Sequence, residues 1–308
     1  MQETDKIWMN GELVDWADAK VHVGVHGLHY GSGVFEGIRC YETARGPAVF
    51  RLQDHLSRLD DSARILHMNL PYTAAELRAA THELVAVNGI PTCYIRPMAF
   101  YGYGELAVGA TGNPVDVVIM SFPWGAYLGE EGQRTGITAT ISSWERIGPN
   151  VIPHAAKATG VYLNSLLATT EARRLGYDEA IMLNHEGFVA DGPGENIFVV
   201  KDGRVKTPPL AMSILPGITR DTIIHLARDL GYEVEETLLI RTDLYLADEV
   251  FMVGTATEVA PVRAVDDHEI GVGPVTLELQ QAYVAVVNGI DERRSDWLDV
   301  VEMAPARA

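Results

Sequence analysis

The chain has 308 residues and a mass of 33.7 kDa, enough for two domains at ~100–200 residues each. Its formal net charge of −18, from 24 basic and 42 acidic residues, excludes the basic footprint that non-specific binding to nucleic acid or to an anionic membrane requires. With 47% apolar residues, two cysteines and no apolar run near the ~20 residues of a membrane span, it reads as a soluble cytoplasmic protein that folds without disulfides. The polar segment Met1–Lys6 carries no signal-peptide character.

In chain order, Asn10-Gly11 predicts a hairpin turn. His22, His26 and His29 hint at a metal site, but no acidic or thiol ligand completes it, and Gly24 and Gly27 are expected to break any helix there. Gly31-Ser32-Gly33 lacks the third glycine of a dinucleotide loop and precedes a strand. Apolar β-branched and aromatic runs predict strands over 34–41, 48–50, 93–101 and 115–122. Between them Leu56, Leu59, Ala63 and Leu66 fall on one helical face. Thr73 and Glu76 form a capping box that opens a second helix, which stops at Asn88-Gly89. The break at 123–129 divides a domain over 1–122 from one over 134–308, with 123–133 as the connecting loop.

The second part is expected to hold a strand over 137–143, a helix of small residues from about 155 to 174, and strands over 179–183, 196–200 and 204–206. Asp202-Gly203 turns the last two into a hairpin. A helix over 217–230, strands over 233–240 and 249–253, and a helix over 275–288 follow. Beyond Arg293 a loosely ordered tail is expected, Trp297 apart. Strands and helices do not alternate strictly, which favours an α+β fold over a doubly wound sheet.

Only five of the basic residues are lysines: Lys6, Lys20, Lys157, Lys201 and Lys206. Four sit in polar surroundings, and Lys157 stands in Ala155-Ala156-Lys157-Ala158-Thr159-Gly160. Crowding by small apolar residues disfavours the ammonium form and suits an amine nucleophile. From this segment alone, a lysine reaching solvent from a helix start is the commoner reading. Asp191-Gly192-Pro193-Gly194-Glu195 places a carboxylate just before an apolar strand, where it could hold a protonated heterocyclic nitrogen or simply face water. Leu215-Pro216-Gly217-Ile218-Thr219 opens a helix whose first N–H groups could form an anion cup or simply initiate the helix, the commoner case, and Val253-Gly254-Thr255-Ala256-Thr257 is a second small, hydroxyl-bearing turn.

Seven motifs run in order from His29 to Ala256: His29-Tyr30-Gly31-Ser32-Gly33-Val34-Phe35-Glu36-Gly37-Ile38-Arg39, Arg51-Leu52-Gln53-Asp54-His55-Leu56-Ser57-Arg58-Leu59, Tyr94-Ile95-Arg96-Pro97, Ala155-Ala156-Lys157, Gly194-Glu195-Asn196-Ile197-Phe198, Leu215-Pro216-Gly217-Ile218-Thr219-Arg220 and Gly254-Thr255-Ala256. With them the chain resembles the class IV (fold type IV) aminotransferases that depend on pyridoxal 5'-phosphate (PLP), most closely those of branched-chain amino acids. The resemblance implies the two-domain α+β fold of D-amino-acid aminotransferases, with a small N-terminal and a larger C-terminal domain. It implies that Lys157 holds PLP as a Schiff base and shuttles the substrate Cα proton, and that Glu195 pairs with the ring nitrogen. Arg58, Ile218, Thr219 and Thr255 would hold the phosphate, and Tyr162 the phenolic oxygen.

On the substrate side the resemblance implies a pocket of Tyr30, Phe35, Gly37 and Tyr127, with Arg96 on the distal carboxylate of glutamate. Tyr94, Thr255 and Ala256 would hold the α-carboxylate. Val108, on the stretch 101–108, would reach the site of a neighbouring subunit, making a homodimer the minimum assembly. The implied reaction is transamination of leucine, isoleucine and valine with 2-oxoglutarate. D-amino-acid or (R)-amine transamination and aminodeoxychorismate cleavage share the fold and stand as alternatives. A catalytically silent small-molecule binder is disfavoured by the presence of both Lys157 and Glu195.

Overall fold

The structure, a computed structural model, describes residues 2–125 and 128–303. It divides into two units: one holds the chain up to Trp124 together with 156–160 and 286 onward, the other 125–155 and 161–285.

The first unit opens with β1 (Lys6–Met9) and β2 (Glu12–Asp15), paired antiparallel with Met9 opposite Glu12. Asn10 and Gly11 both take positive φ, 50° and 97°, as a two-residue hairpin turn demands. A five-residue α1 (His26–Tyr30) follows despite Gly24 and Gly27. Gly27 permits it, because a Cβ there would lie 3.1 Å from the Phe100 Cβ, so the glycine lets the turn settle on the sheet. The strand expected over 34–41 is two strands, β3 (Gly33–Phe35) and β4 (Ile38–Thr43), interrupted at Glu36-Gly37 where the Glu36 N–H donates to the Pro97 carbonyl at 2.8 Å. Next come β5 (Gly46–Phe50), α2 (Leu52–Ile65), α3 (Ala74–Asn88), β6 (Cys93–Tyr101) and β7 (Val115–Phe122). The Thr73–Glu76 capping box forms at the start of α3, and Gly89 ends the helix at φ 65°. Leu56, Leu59, Ala63, Leu77 and Leu84 bury the apolar helix faces against Val34, Ile38, Ile95 and Ile119.

In the second unit α4 (Gly129–Thr135) occupies the stretch expected to be a loop. Then come β8 (Ile137–Ile141) and α5 (Tyr162–Leu175). The helix begins well after the expected residue 155, so Lys157 is not helical. The reason lies in the first unit, where the Phe35 N–H donates to the Lys157 carbonyl at 3.0 Å and Val34 bridges to Ala158, holding 157–158 out of the helix, which is entered through a 3-10 turn at Thr159–Val161. The unit continues with β9 (Glu179–Leu183), β10 (Val189–Asp191), β11 (Asn196–Lys201), β12 (Arg204–Thr207), α6 (Ile218–Asp229), β13 (Val234–Glu236), α7 (Arg241–Tyr245), β14 (Glu249–Gly254), β15 (Glu258–Val265), β16 (His268–Glu269) and α8 (Pro274–Val287). The strand expected over 233–240 keeps only three residues. Strand β15 was not expected: Pro261 argues against a strand in sequence, yet stands opposite Phe251 in the ladder. The sheet runs β10-β9-β8-β15-β14-β11-β12-β13, with β8 parallel to both β9 and β15. Ile181, Val189, Ile197, Met252 and Val262 are fully buried on it.

The chain end returns to the first unit as β17 (Leu298–Val300), antiparallel to β5 with Leu298 opposite Phe50. The tail expected to be loose is therefore a sheet edge. Its neighbour Trp297 lies between the guanidinium groups of Arg51 and Arg294, 4.9 and 4.8 Å from the ring centroid. The first sheet thus reads β17-β5-β4-β6-β7-β1-β2, with β3 on β6. Because 156–160 and the C-terminal stretch join this unit, the expected split at 122 and 134 is interrupted twice, and the two units are nearly equal in length. Among the described residues no helix is long and apolar enough to cross a membrane.

Candidate active site

In the first unit the chemistry gathers around the break between β3 and β4. The Lys157 Nζ lies 5.1 Å from the Phe35 ring centroid, and the Arg96 guanidinium carbon lies 4.6 Å from the same centroid. Arg96 also stands 5.3 Å from the Tyr94 ring and donates to the Tyr94 hydroxyl at 3.2 Å. An amine, a guanidinium, a phenol and an apolar ring thus form one cluster. The Arg96 Nε is buried with no acceptor, which leaves this cation a donor to spare. Gly37 belongs to the same cluster: a Cβ there would fall 2.0 Å from the Tyr94 hydroxyl, so the phenol occupies the space the glycine leaves.

Arg58, on α2, is held from behind. Its Nε and Nη2 donate to the two Glu36 oxygens at 2.7 and 2.8 Å, and His55 Nδ1 meets the same carboxylate at 2.7 Å. Glu36 and His55 have almost no exposure. Burial alone would raise the Glu36 carboxyl. The Arg58 guanidinium and His55 overcome it and hold Glu36 far below the usual carboxylate range. Burial likewise depresses the His55 imidazole, against the pull of the Glu36 carboxylate. One helical turn beyond Arg58, the Ser62 hydroxyl accepts from the Lys157 N–H at 3.0 Å, so α2 positions both residues. Lys6 and Lys201 pair with Asp15 and Asp248 at exposed sites, as solvated charges do.

In the second unit Glu195 is buried at the head of β11. The Thr257 hydroxyl donates to one of its oxygens at 2.9 Å, and the Gly194 N–H to the other at 3.0 Å. Gly254 is in close contact with this turn, since a Cβ on it would stand 3.2 Å from the Gly194 carbonyl. The residue after Glu195 ties down the start of α6. The Asn196 amide donates to the Leu215 carbonyl at 3.1 Å, and its oxygen would lie 2.0 Å from any Cβ on Gly217. Gly217 is the N-cap and contributes no capping side chain, while Ile218 and Thr219 begin the helix as buried residues. Three turns, at 191–195, 215–219 and 254–257, therefore converge. Tyr162 opens α5 in the same unit, and Thr255 and Ala256 lie half-buried in the turn between β14 and β15.

Behind Glu195 lie two further buried acids. Burial, reinforced by the Glu195 charge, pushes the Glu179 carboxyl up to about 8. Asp191 is pushed up to about 6 by burial and by Glu195, although Arg146 opposes the shift. Arg146 is itself buried, with its Nε 2.7 Å from Asp191 Oδ1.

One residue expected in the side-chain pocket is drawn toward a neighbouring loop. The Tyr30 hydroxyl donates to the Leu106 carbonyl at 2.8 Å, so this exposed ring stands with the loop that carries Val108. Val108 is 80% exposed. Tyr127 lies outside the described residues. Sequence reasoning missed Glu36 and His55 as supports of Arg58, and Thr257, Asp191 and Arg146 as supports around Glu195. Glu36, His55, Asp191 and Thr257 sit inside or beside the quoted motifs. Nothing around Arg146 in the sequence singles it out.

Residues 33–265 match the family described as amino-transferase class IV. The chain is 52% identical over 304 residues to the branched-chain-amino-acid aminotransferase of Escherichia coli, covering 97% of this chain and 98% of that protein. The crystal structure of the Escherichia coli branched-chain amino acid aminotransferase superposes with a TM-score of 0.96 at 51% identity, over 97% of this chain and 100% of that one. The branched-chain amino acid aminotransferase of Thermobaculum terrenum in its PLP form superposes with a TM-score of 0.91 at 39% identity, over 98% of this chain and 100% of that one. With its lysine, its buried turn glutamate and its braced arginine in place, the chain belongs to the class IV aminotransferase family.

Proposed function

We propose that the protein transfers the amino group of leucine, isoleucine and valine to 2-oxoglutarate with PLP as cofactor, giving the branched-chain 2-oxo acids and L-glutamate. The observation that carries this reading is the Phe35–Tyr94–Arg96–Lys157 cluster. It offers an apolar wall for an aliphatic side chain and, on the same wall, a guanidinium with a donor to spare. An enzyme that alternates between a branched-chain amino acid and glutamate needs both.

The donor set fits PLP. The first unit supplies an amine and a braced arginine, and the second a buried carboxylate and a helix N-terminus with no side-chain cap. Bound PLP supplies an electron sink for the bonds at the substrate Cα. Lys157 would hold the cofactor through its amine and would move the Cα proton as a general base. Glu195 would hold the proton at the ring nitrogen. Arg58, the Ile218 and Thr219 N–H groups and Thr255 would hold the phosphate, and Tyr162 would donate to the phenolic oxygen. Tyr94 and the Thr255-Ala256 turn orient the α-carboxylate, Arg96 takes the distal carboxylate of glutamate, and Phe35 and Gly37 bound the side chain.

The minimum assembly we assign is a homodimer. Val21, Val23, Leu28, Tyr30, Leu106 and Val108 leave an exposed apolar face on the first unit, beside an apolar cavity of about 380 Å³. The loop that carries Val108 is held in shape by the Tyr30 and His26 contacts to the Leu106 and Ala107 carbonyls. We place the enzyme in the cytoplasm, where its two buried, unbridged cysteines stay reduced.

The test is a donor panel on the PLP-loaded protein, read from the visible band of the bound cofactor. Branched-chain L-amino acids and L-glutamate should bleach the band, and D-amino acids and (R)-1-phenylethylamine should not. Lys157→Ala should lose the borohydride-reducible adduct. A protein that takes up no PLP, or an adduct that persists on another lysine, contradicts the assignment.

A further inference from the structure

We propose that Arg146, working through Ser165, is a positioning residue that locks the turn 191–193 and thereby aims the Glu195 carboxylate. The proposal rests on the reading that Glu195 meets the ring nitrogen of PLP.

The geometry ties three successive residues to one guanidinium. The Arg146 Nε donates to Asp191 Oδ1 at 2.7 Å, and its Nη2 donates to the Gly192 carbonyl at 2.5 Å. Its Nη1 donates to the Ser165 hydroxyl at 3.3 Å, and that hydroxyl donates to the Pro193 carbonyl at 2.6 Å. From the far side of the turn, the Gly192 N–H donates to the Glu195 carbonyl at 2.9 Å. The turn folds so tightly over the carboxylate that a Cβ on Gly192 would stand 2.8 Å from Glu195 Oε2. Arg146 therefore grips the entry to the turn, and Thr257 and Gly194 hold the carboxylate at its exit.

Stability alone does not explain this arrangement. The side chains of Arg146 and Asp191 are 3% and 6% exposed. Burying such a pair costs desolvation that an apolar pair of the same volume avoids. A planar fork with five fixed donors reaches the Asp191 carboxylate, the Gly192 carbonyl and the Ser165 hydroxyl at once, and a lysine ammonium does not. Ser165 stands at the fourth position of α5, which opens with Tyr162, so one brace connects the turn to that helix.

The experiment is a double-mutant cycle on the full chain, with PLP affinity as the readout and the melting of the cofactor-free protein as the folding control. Arg146→Lys should weaken PLP binding about tenfold in the wild-type background, and by less than about twofold once Glu195→Ala has removed the carboxylate it aims. The pH profile of the bound cofactor's visible band should move in Arg146→Lys in the same direction as in Glu195→Ala. Equal losses in both backgrounds, or an unmoved pH profile, would overturn the positioning role. If Arg146→Lys does not melt cooperatively, Ser165→Ala carries the same cycle with an expected loss of about threefold, and no loss or an additive loss overturns the proposal. Failure of the wild-type protein to take up PLP would instead defeat the functional reading beneath it.

Discussion

Replacing Glu36 by Gln removes one buried charge and turns one acceptor into a donor that faces Arg58 or His55. In the wild-type structure the two Glu36 oxygens accept from the Arg58 Nε and Nη2 at 2.7 and 2.8 Å, with His55 at 2.7 Å. Breaking a buried ion pair on one side costs about 3–5 kcal/mol, because the remaining charge stays buried without its partner. Gln keeps the shape and one carbonyl, so the lower end, about 3 kcal/mol, is expected. At about 2–4 °C per kcal/mol for a domain of this size, the melting temperature of the cofactor-free protein should fall by about 6–12 °C at pH 7. PLP should also bind more weakly, since Arg58 is no longer aimed.

Glu36 is held below its usual value of 4.5, so its contribution is complete above about pH 4.5 and is lost as the pH falls toward the folded value. His55, depressed below 6.5, contributes in the same sense, fully present above 6.5 and lost on acidification. The gap between wild type and Glu36→Gln should therefore be widest near neutrality and narrow below about pH 4.5. A loss under about 1 kcal/mol at pH 7, or a gap that does not narrow with acid, would refute the reasoning.

Arg96→Ala should reduce kcat/KM for glutamate at least about tenfold more than for leucine, because only glutamate has a second carboxylate to lose its cation. Equal losses would contradict that role. Gly37→Ala places a methyl group 2.0 Å from the Tyr94 hydroxyl, which is held by packing against Phe122 and Trp124. A loss of about 1–3 kcal/mol in the melting of the cofactor-free protein is expected, together with a raised KM for every donor, and wild-type values for both would argue against this packing. Glu179, raised from 4.5 to about 8, favours the folded state below pH 4.5 and loses that contribution as the pH rises to 8. Glu179→Gln should therefore stabilise the cofactor-free protein at pH 8 by on the order of 3 kcal/mol and hardly at all at pH 4.5. Parallel stability profiles for the two proteins would refute the buried proton.

Much of the candidate site is legible in the residues because its chemistry is local. Glu195 follows a Gly/Pro turn, Gly217 opens a helix, and Thr73 caps another, each within a few residues of sequence. Lys157 stands out by composition, as a lysine among alanines. The class IV motifs then order these fragments along the chain. Local pattern also misleads where distant strands compete for a segment. The small residues around Lys157 read as helix, but β3 donates a backbone hydrogen bond to the Lys157 carbonyl and bridges Ala158, which keeps 157–158 out of the helix. The tail after Arg293 reads as loose, but β5 supplies an edge for Leu298–Val300 to pair with.

The residues themselves determined the fold class, the lysine, the turn glutamate and the family, because each rests on short-range spacing and on the residue types the chemistry requires. Only the tertiary structure decided what stands behind those groups: Glu36 and His55 behind Arg58, and Arg146, Ser165 and Thr257 around Glu195. These partners lie from 3 to 62 residues away in sequence. A buried charge can be braced by any group that folding brings within hydrogen-bond reach, so partners such as Arg146, Ser165 and Thr257 follow no periodic spacing from the residue they support.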